Sequence, residues 1–262
     1  MMFKEILVKA GAFLNLFDFE NVVCYPSDDG NCCVSCKTDD DNVYMFVRNN
    51  KTGYTDKEFS LRSWKSLYYV IDICKDENSE DSGFKLQTVT DEYGYPSIMN
   101  IKSPRLSATH YLQNYSFISQ QPDLLNLYNQ RKFRLNPIKQ GNTNNLNETI
   151  MKDMRRLSTW LNDKYFRIEH DEKGNFFYLG DLNMSVDSVR LYIDGNGGNT
   201  TWDSRQYFNI DNFLRIFRFM RDEAIIDNNL EGLKINLMSN QIIFSYETND
   251  ILKVAIVRSI NM

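Results

Sequence analysis

The sequence is poor in the residues on which most enzyme signatures and extracellular scaffolds rest. Its 262 residues include two histidines, five cysteines, five prolines and twelve glycines. A structural zinc site wants four ligands, often as two close pairs. One C-x-x-C is present, Cys33 to Cys36 in "CCVSC", with no second pair, and His110 and His170 lie far from it in sequence. The odd count, with Cys24, Cys32, Cys33 and Cys36 clustered and Cys74 apart, argues against a disulfide framework. "NCCVSCK" alternates like a strand, so these cysteines are expected as small buried hydrophobes. There is no P-loop, no G-x-S-x-G and no H-E-x-x-H. "GNGG" at 195–198 does not open a clear strand–helix–strand unit. The expectation is a chain that is not an enzyme and holds no metal or cofactor. Long apolar runs are missing too. None approaches the ~18–20 residues of a membrane span, and the opening "MMFKEILVKAGAFLNLF" is interrupted by Lys4, Glu5 and Lys9, unlike a signal peptide. A cytosolic protein without a membrane partner is expected.

What is present is core. Hydrophobic residues make up 42% of the chain and aromatic ones 13%, with 17 Phe and 15 Tyr. Apolar periodicity predicts helices over 5–17, 59–73, 148–162 and 208–222. Between them lie strand-like runs such as "NVVCY", "VYMFV", "FKLQTVT", "SIMNI" and "SATHYLQNYS", separated by turn residues such as "PSDDGN" and "TDDDN". Residues 119–147 change character to Gln, Asn and Pro with a small apolar knot, and read as a connector and linker.

After the linker the order restarts. At an offset of 149, Phe59 meets Phe208, Leu61 meets Ile210, Trp64 meets Phe213, Leu67 meets Ile216, Tyr68 meets Phe217 and Ile71 meets Met220. The ungapped match runs from 59–86 to 208–235, ending on "GFKL" against "GLKI". Upstream, at an offset of 144, "DDGNCC" meets "EKGNFF". The chain therefore reads as two copies of one domain, 1–118 and 148–262, of mixed α+β class.

Charge is distributed unevenly. The chain carries a formal net charge of −5. Residues 3–17, 59–71, 149–161 and 208–221 carry +1, +2, +2 and +2, which leaves −12 for everything else. The acid lies in loops such as "TDDD", "KDENSED" and "HDEKG". At about 100° per residue, Phe213, Ile216, Phe217 and Met220 share one face, Arg215 and Arg218 lie opposite, and Arg221 sits on the flank. In the third helix, Ile150, Leu157 and Leu161 mark the expected buried side, with Lys152, Arg155 and Arg156 away from it. In the second, Arg62 and Lys65 lie off the Trp64–Leu67–Ile71 side. One basic helix face is ordinary. Three in an acidic chain fit shared exposure to a polyanion, since Lys and Arg on phosphates give sequence-independent, salt-sensitive binding.

With its length, its duplication and its element order, and most closely in "MFKEILVKAG", "FSLRSWKSLYYVIDI" and "ILKVAIVRSI", the chain resembles the DNA sliding clamps. It is most similar to the two-domain type of phages and proliferating cell nuclear antigen. The resemblance implies a DNA clamp fold: two similar domains, each with two helices packed on antiparallel sheets. It implies a homotrimeric ring around duplex DNA, helices lining the hole, acting as a polymerase processivity factor in the cytoplasm of a phage-infected host. The implied DNA-facing residues are Lys4, Lys9, Arg62, Lys65, Lys152, Arg155, Arg156, Arg215, Arg218 and Arg221. On the first helix, the solvent side would be Asn15, Gly11 and Lys4. DNA polymerase and clamp loader would bind through short peptide motifs, in a pocket at Asn42, Val43, Leu124, Leu125, Leu127, Val257 and Ile260. Two other readings stand beside it: a duplicated oligomeric phage tail or baseplate protein, and a non-ring processivity factor that binds DNA by a basic face.

Overall fold

Short apolar runs broken by Asn, Asp and Gly fold as antiparallel hairpins, and the few long amphipathic runs fold as helices against them. The computed structural model describes residues 2–19, 21–27, 29–53, 57–62, 64–75, 84–114, 148–180, 187–193, 205–238 and 240–261. The class is α+β. The chain forms two compact units, Met1–Phe133 with Glu247–Val254, and Arg134–Tyr246 with Ala255–Met262. The connector expected at 119–147 lies outside the described residues.

In unit 1 the order is α1 (Met2–Leu14), β1 (Asn21–Pro26), β2 (Asn31–Lys37), β3 (Val43–Thr52), β4 (Phe59–Arg62), α2 (Trp64–Lys75), β5 (Lys85–Thr90), β6 (Pro96–Lys102) and β7 (Ser107–Asn114). The strands pair antiparallel in the spatial order β3-β2-β1-β4-β7-β6-β5. Gly30, at φ 71°, makes the β1–β2 turn, where an L side chain would be strained. The residues from 247–254 lie beside β3: the Asn50 N–H donates to the Asp250 carbonyl (2.9 Å) and its side chain to the Thr248 carbonyl (3.0 Å). Phe3, Ile6, Leu7, Phe13 and Leu14 of α1 and Trp64, Leu67 and Ile71 of α2 are buried. Phe3 meets Phe59 edge-on with ring centroids 5.3 Å apart.

Two expectations change here. The run at 59–73 is not one helix: Phe59–Arg62 is a strand, with Leu61 opposite Val22 and Phe59 opposite Cys24. Gly11 is not on a solvent face. It is buried where α1 meets α2, and a methyl group there would come within 2.9 Å of the Tyr68 ring. The five cysteines are all buried and free, four of them on β1 and β2 and Cys74 in α2. Burial alone pushes the Cys36 thiol well above its usual range.

Unit 2 runs α3 (Glu148–Leu161), β8 (Tyr165–Asp171), β9 (Gly174–Leu179), β10 (Val189–Tyr192), β11 (Gln206–Asn209), α4 (Ile210–Ile226), a 3₁₀ turn (Leu230–Gly232), β12 (Leu233–Leu237), β13 (Gln241–Glu247), β14 (Ile251–Arg258) and β15 (Ile260–Asn261). Residues 247–254 of β13 and β14 belong to unit 1. One sheet has the order β10-β9-β8-β11-β15, and β12 pairs with β13. As in unit 1, a four-residue strand precedes the second helix: Phe208 pairs with Phe166. The core is aromatic. Phe213 of α4 lies 5.3–5.5 Å from Phe166, Phe177 and Phe244, ring centroid to centroid. That contact set fixes α4 on β8, β9 and β13. Asp163, 8% exposed, closes the α3–β8 corner by accepting from the Tyr165 N–H (3.0 Å) and the Gly180 N–H (2.9 Å).

Candidate nucleic-acid interface

The site begins with how α3 and α4 are held. Asn209 caps α4, its side chain accepting from the Asn212 N–H at 2.9 Å, and Asp211 complements the positive end of the helix dipole. Phe213, Ile216, Phe217 and Met220 are buried, as the sequence predicts, and Arg215 and Arg218 are exposed with Arg221 half-buried. On α3 the buried side differs from the expectation. Met151 and Met154 face the core, while Ile150, Leu157 and Leu161 are only half-buried. Lys152, Arg155 and Arg156 are exposed as expected.

The two helices form a groove of about 480 Å³. Each offers a stripe at three- and four-residue spacing: Glu148, Met151, Lys152 and Arg155 from α3, and Leu214, Phe217, Arg218, Arg221, Asp222 and Ile225 from α4. Its floor is apolar, Met151 and Phe217, and its rim carries four cations. Lys152 pairs with Glu148 at 2.8 Å. That hydrogen bond, followed by the more distant charges of Arg221 and Arg218, holds the Glu148 carboxyl below its usual range. The positive charges of both helices therefore act on one point. Among the described residues, no carboxylate forms an ion pair with Arg155, Arg156 or Arg218. Arg215 is exposed one turn before Arg218 and does not line the groove.

The helix termini alter the charge count. With its observed end at Ile226, α4 includes Asp222 and Glu223 beside its three arginines and Asp211, so it is neutral overall. With Glu148 and Asp153, α3 is +1. The basic character belongs to a face, not to whole helices.

Unit 1 deploys its lysines differently. Lys4 donates to the Phe84 carbonyl at 2.6 Å, with its ammonium 4.5 Å from the Phe84 ring centre. Lys9 is bonded to Asp250. Lys65 lies 2.9 Å from Asp18. Arg62 ends strand β4, exposed, with its carbonyl 3.0 Å from His110 Nε2.

No protein-family model matches the chain, and no curated protein does. Solved structures do match along its whole length. It is similar to A. fulgidus PCNA, solved with the C-terminal region of FEN-1 bound, at 13% identity and a TM-score of 0.56, over 100% of this chain and 97% of that one. It is similar to the H. pylori beta clamp at 13% identity and 0.56, over 99% and 63%, and to the Caulobacter crescentus DNA polymerase sliding clamp at 9% and 0.58, over 100% and 64%. The chain thus spans less than two thirds of those bacterial clamp chains and nearly all of the archaeal one.

The chain has the sliding-clamp fold.

On this clamp fold, the residues assigned to a peptide pocket are not all accessible. Val43 on β3 and Val257 on β14 are fully buried in the core. Asn42 is half-buried, bound to Asp40 through its backbone N–H (3.1 Å) and its side-chain amide (2.7 Å). Ile260, half-buried on β15, lies opposite Tyr207. Leu124, Leu125 and Leu127 lie outside the described residues. Sequence reasoning passed over Trp160, which stands 64% exposed beside Arg155 and Arg156. The available signal was a Trp following "MRRLST" on an otherwise basic face.

Proposed function

We propose that this protein is a DNA polymerase processivity factor. Its two units are copies of one clamp domain, three chains close head to tail into a ring, and the ring encircles duplex DNA and slides without reading bases. Arg155, Arg156, Arg215, Arg218 and Lys152 contact phosphates, with Arg221, Arg62 and Lys65 contributing less, and Lys4 and Lys9 least because both are held internally. The role is that of a tether, not an enzyme. Polymerase and loader dock by short peptides, a reading supported by the FEN-1 segment seen on the archaeal clamp of similar fold.

The observation that carries this reading is a conjunction. A chain of net charge −5 has the clamp fold over its full length and places Lys152, Arg155, Arg218 and Arg221 around one groove. Weak phosphate contacts suit sliding, because affinity then comes from topology and not from base recognition. Closed rings arise when a head-to-tail contact repeats through a rotation that closes.

Light scattering on the pure protein is expected to give the mass of three chains, and particle images a ring with a hole wide enough for a duplex. Loaded protein is expected to stay on circular DNA and to leave once that DNA is linearised. A clean monomer, or equal release from both DNA forms, would contradict the ring.

A further inference from the structure

A second depression adjoins the groove on unit 2, about 550 Å³ in volume. Six residues line it: Lys152, Arg155, Arg156, Thr159, Trp160 and Arg218. Its size falls within the range of small-ligand clefts, roughly 300–1,000 Å³. No carboxylate lines it. The one nearby acid on α3 for which an ion pair is seen is Glu148, taken up by Lys152.

Trp160 is the unusual member. Isolated apolar residues on a surface need no explanation, but this indole does not stand alone. It is 64% exposed, whereas Trp64 of α2 is 1% exposed. Around it are four cations from two helices. An aromatic face set among phosphate-binding cations is the composition that holds single-stranded nucleic acid: bases stack on the ring while the backbone tracks the charge. Duplex DNA cannot use the indole in the same way, because its base faces are covered by their neighbours. A flat ring on this surface gains most from a base that is already unstacked.

We propose that Trp160 forms a subsite for an unpaired nucleotide of single-stranded DNA, the base stacking on the indole and the flanking phosphates held by Arg155, Arg156 and Arg218. The inference rests on reading the α3–α4 face as the DNA-facing surface. It adds that this face distinguishes unpaired strand from duplex.

The test uses the full-length chain, a short oligo(dT) strand and a mixed-sequence duplex of equal length, at low salt. Oligo(dT) is expected to quench the tryptophan emission, and the duplex to do so far less. Trp160→Ala is expected to weaken oligo(dT) binding about fivefold or more, the equivalent of one stacked base, while changing duplex binding less than twofold. Trp160→Phe keeps an aromatic face and is expected to restore the oligo(dT) affinity. It also removes the quenching signal, which assigns that signal to this residue. Equal losses on both DNAs, or no loss on oligo(dT), would overturn the subsite and leave the duplex-binding surface standing. Wild-type protein that bound neither DNA would overturn the surface itself. Quenching by an unrelated acidic peptide equal to that by oligo(dT) would reassign the depression to a protein partner.

Discussion

Unit 1 and unit 2 each carry a pair of helices in the same element order, yet they differ in how many of their cations meet a partner, with Lys152, paired with Glu148, the exception in unit 2. In unit 1, Lys4 is engaged by the Phe84 carbonyl, Lys9 by Asp250 and Lys65 by Asp18. In unit 2, Arg155, Arg156 and Arg218 stand without a carboxylate partner among the described residues. The difference is one of residue type as well as pairing. An arginine fork matches phosphate oxygens at two points, whereas lysine is a mobile point charge. Counting charges along the sequence treats the two helix pairs alike. The structure separates lysines that meet groups of their own chain from arginines that have no carboxylate partner among the described residues. The helix floors differ too: α4 is pinned by a cluster of phenylalanines, while α1 and α2 approach through Gly11 and Tyr68.

The largest effect is expected from removing what holds the unit 2 face in place. Phe213→Ala deletes a ring that packs on Phe166, Phe177 and Phe244. Truncating a buried Phe costs about 3–5 kcal/mol. Hydrogen exchange should show α4 losing protection while the amides of α1 and α2 change little. Loss of protection spread equally over both units would mean that the phenylalanine cluster is not local to the unit 2 face.

A smaller effect, but the sharpest on the comparison itself, comes from charge. Arg155→Ala, Arg156→Ala and Arg218→Ala together should lower the slope of log affinity for duplex against log salt by roughly 0.9 for each phosphate that is no longer neutralised. The matched set in unit 1, Lys4→Ala, Lys9→Ala and Lys65→Ala, should leave that slope nearly unchanged. Equal changes from the two sets would erase the distinction between the units. Exposed ion pairs such as Lys65–Asp18 contribute little, so Lys65 is the unit 1 residue from which a small residual effect is expected.

Much of this was legible in the sequence, and the failures have a common cause. The helical faces of α2 and α4 followed from 3.6-residue periodicity, because Trp64, Leu67, Ile71, Phe213, Ile216, Phe217 and Met220 repeat cleanly and are buried. The strand at Phe59–Arg62 did not, since a stretch as short as "FSLR" reads equally well as the start of the following helix. What makes it a strand is Val22 and Cys24 across the sheet, more than 30 residues away in sequence. Periodicity alone puts the buried side of α3 on Ile150, Leu157 and Leu161, where the core takes Met151 and Met154. Both sets fit an amphipathic helix, and the sheet it packs on decides between them. The lysine partners are further still: Phe84 lies 80 residues from Lys4 and Asp250 lies 241 from Lys9. Local patterns give the face of a helix, and only the folded chain shows whether that face is already occupied.

The smallest predicted effect tests the occupied face directly. Lys51 donates to Glu5 at 2.8 Å and Asn49 donates at 2.7 Å. The Lys51 hydrogen bond is the largest influence on the Glu5 carboxyl, burial opposes it, and the net shift is downward. The Lys9 hydrogen bond likewise holds the Asp250 carboxyl below its usual range. A carboxyl whose pKa is lower in the folded state contributes stability above its unfolded pKa, near 4, and that contribution is lost as pH falls through the folded value. Acid should therefore loosen α1 as the Glu5 and Asp250 carboxyls take up protons. Hydrogen exchange at descending pH should show α1 of wild type losing protection below about pH 4. Glu5→Gln with Asp250→Asn should start from lower protection at neutral pH and show a shallower fall. If wild type and double variant fall in parallel, Lys51 and Lys9 are not held by these carboxylates, and the contrast with unit 2 fails at Lys9.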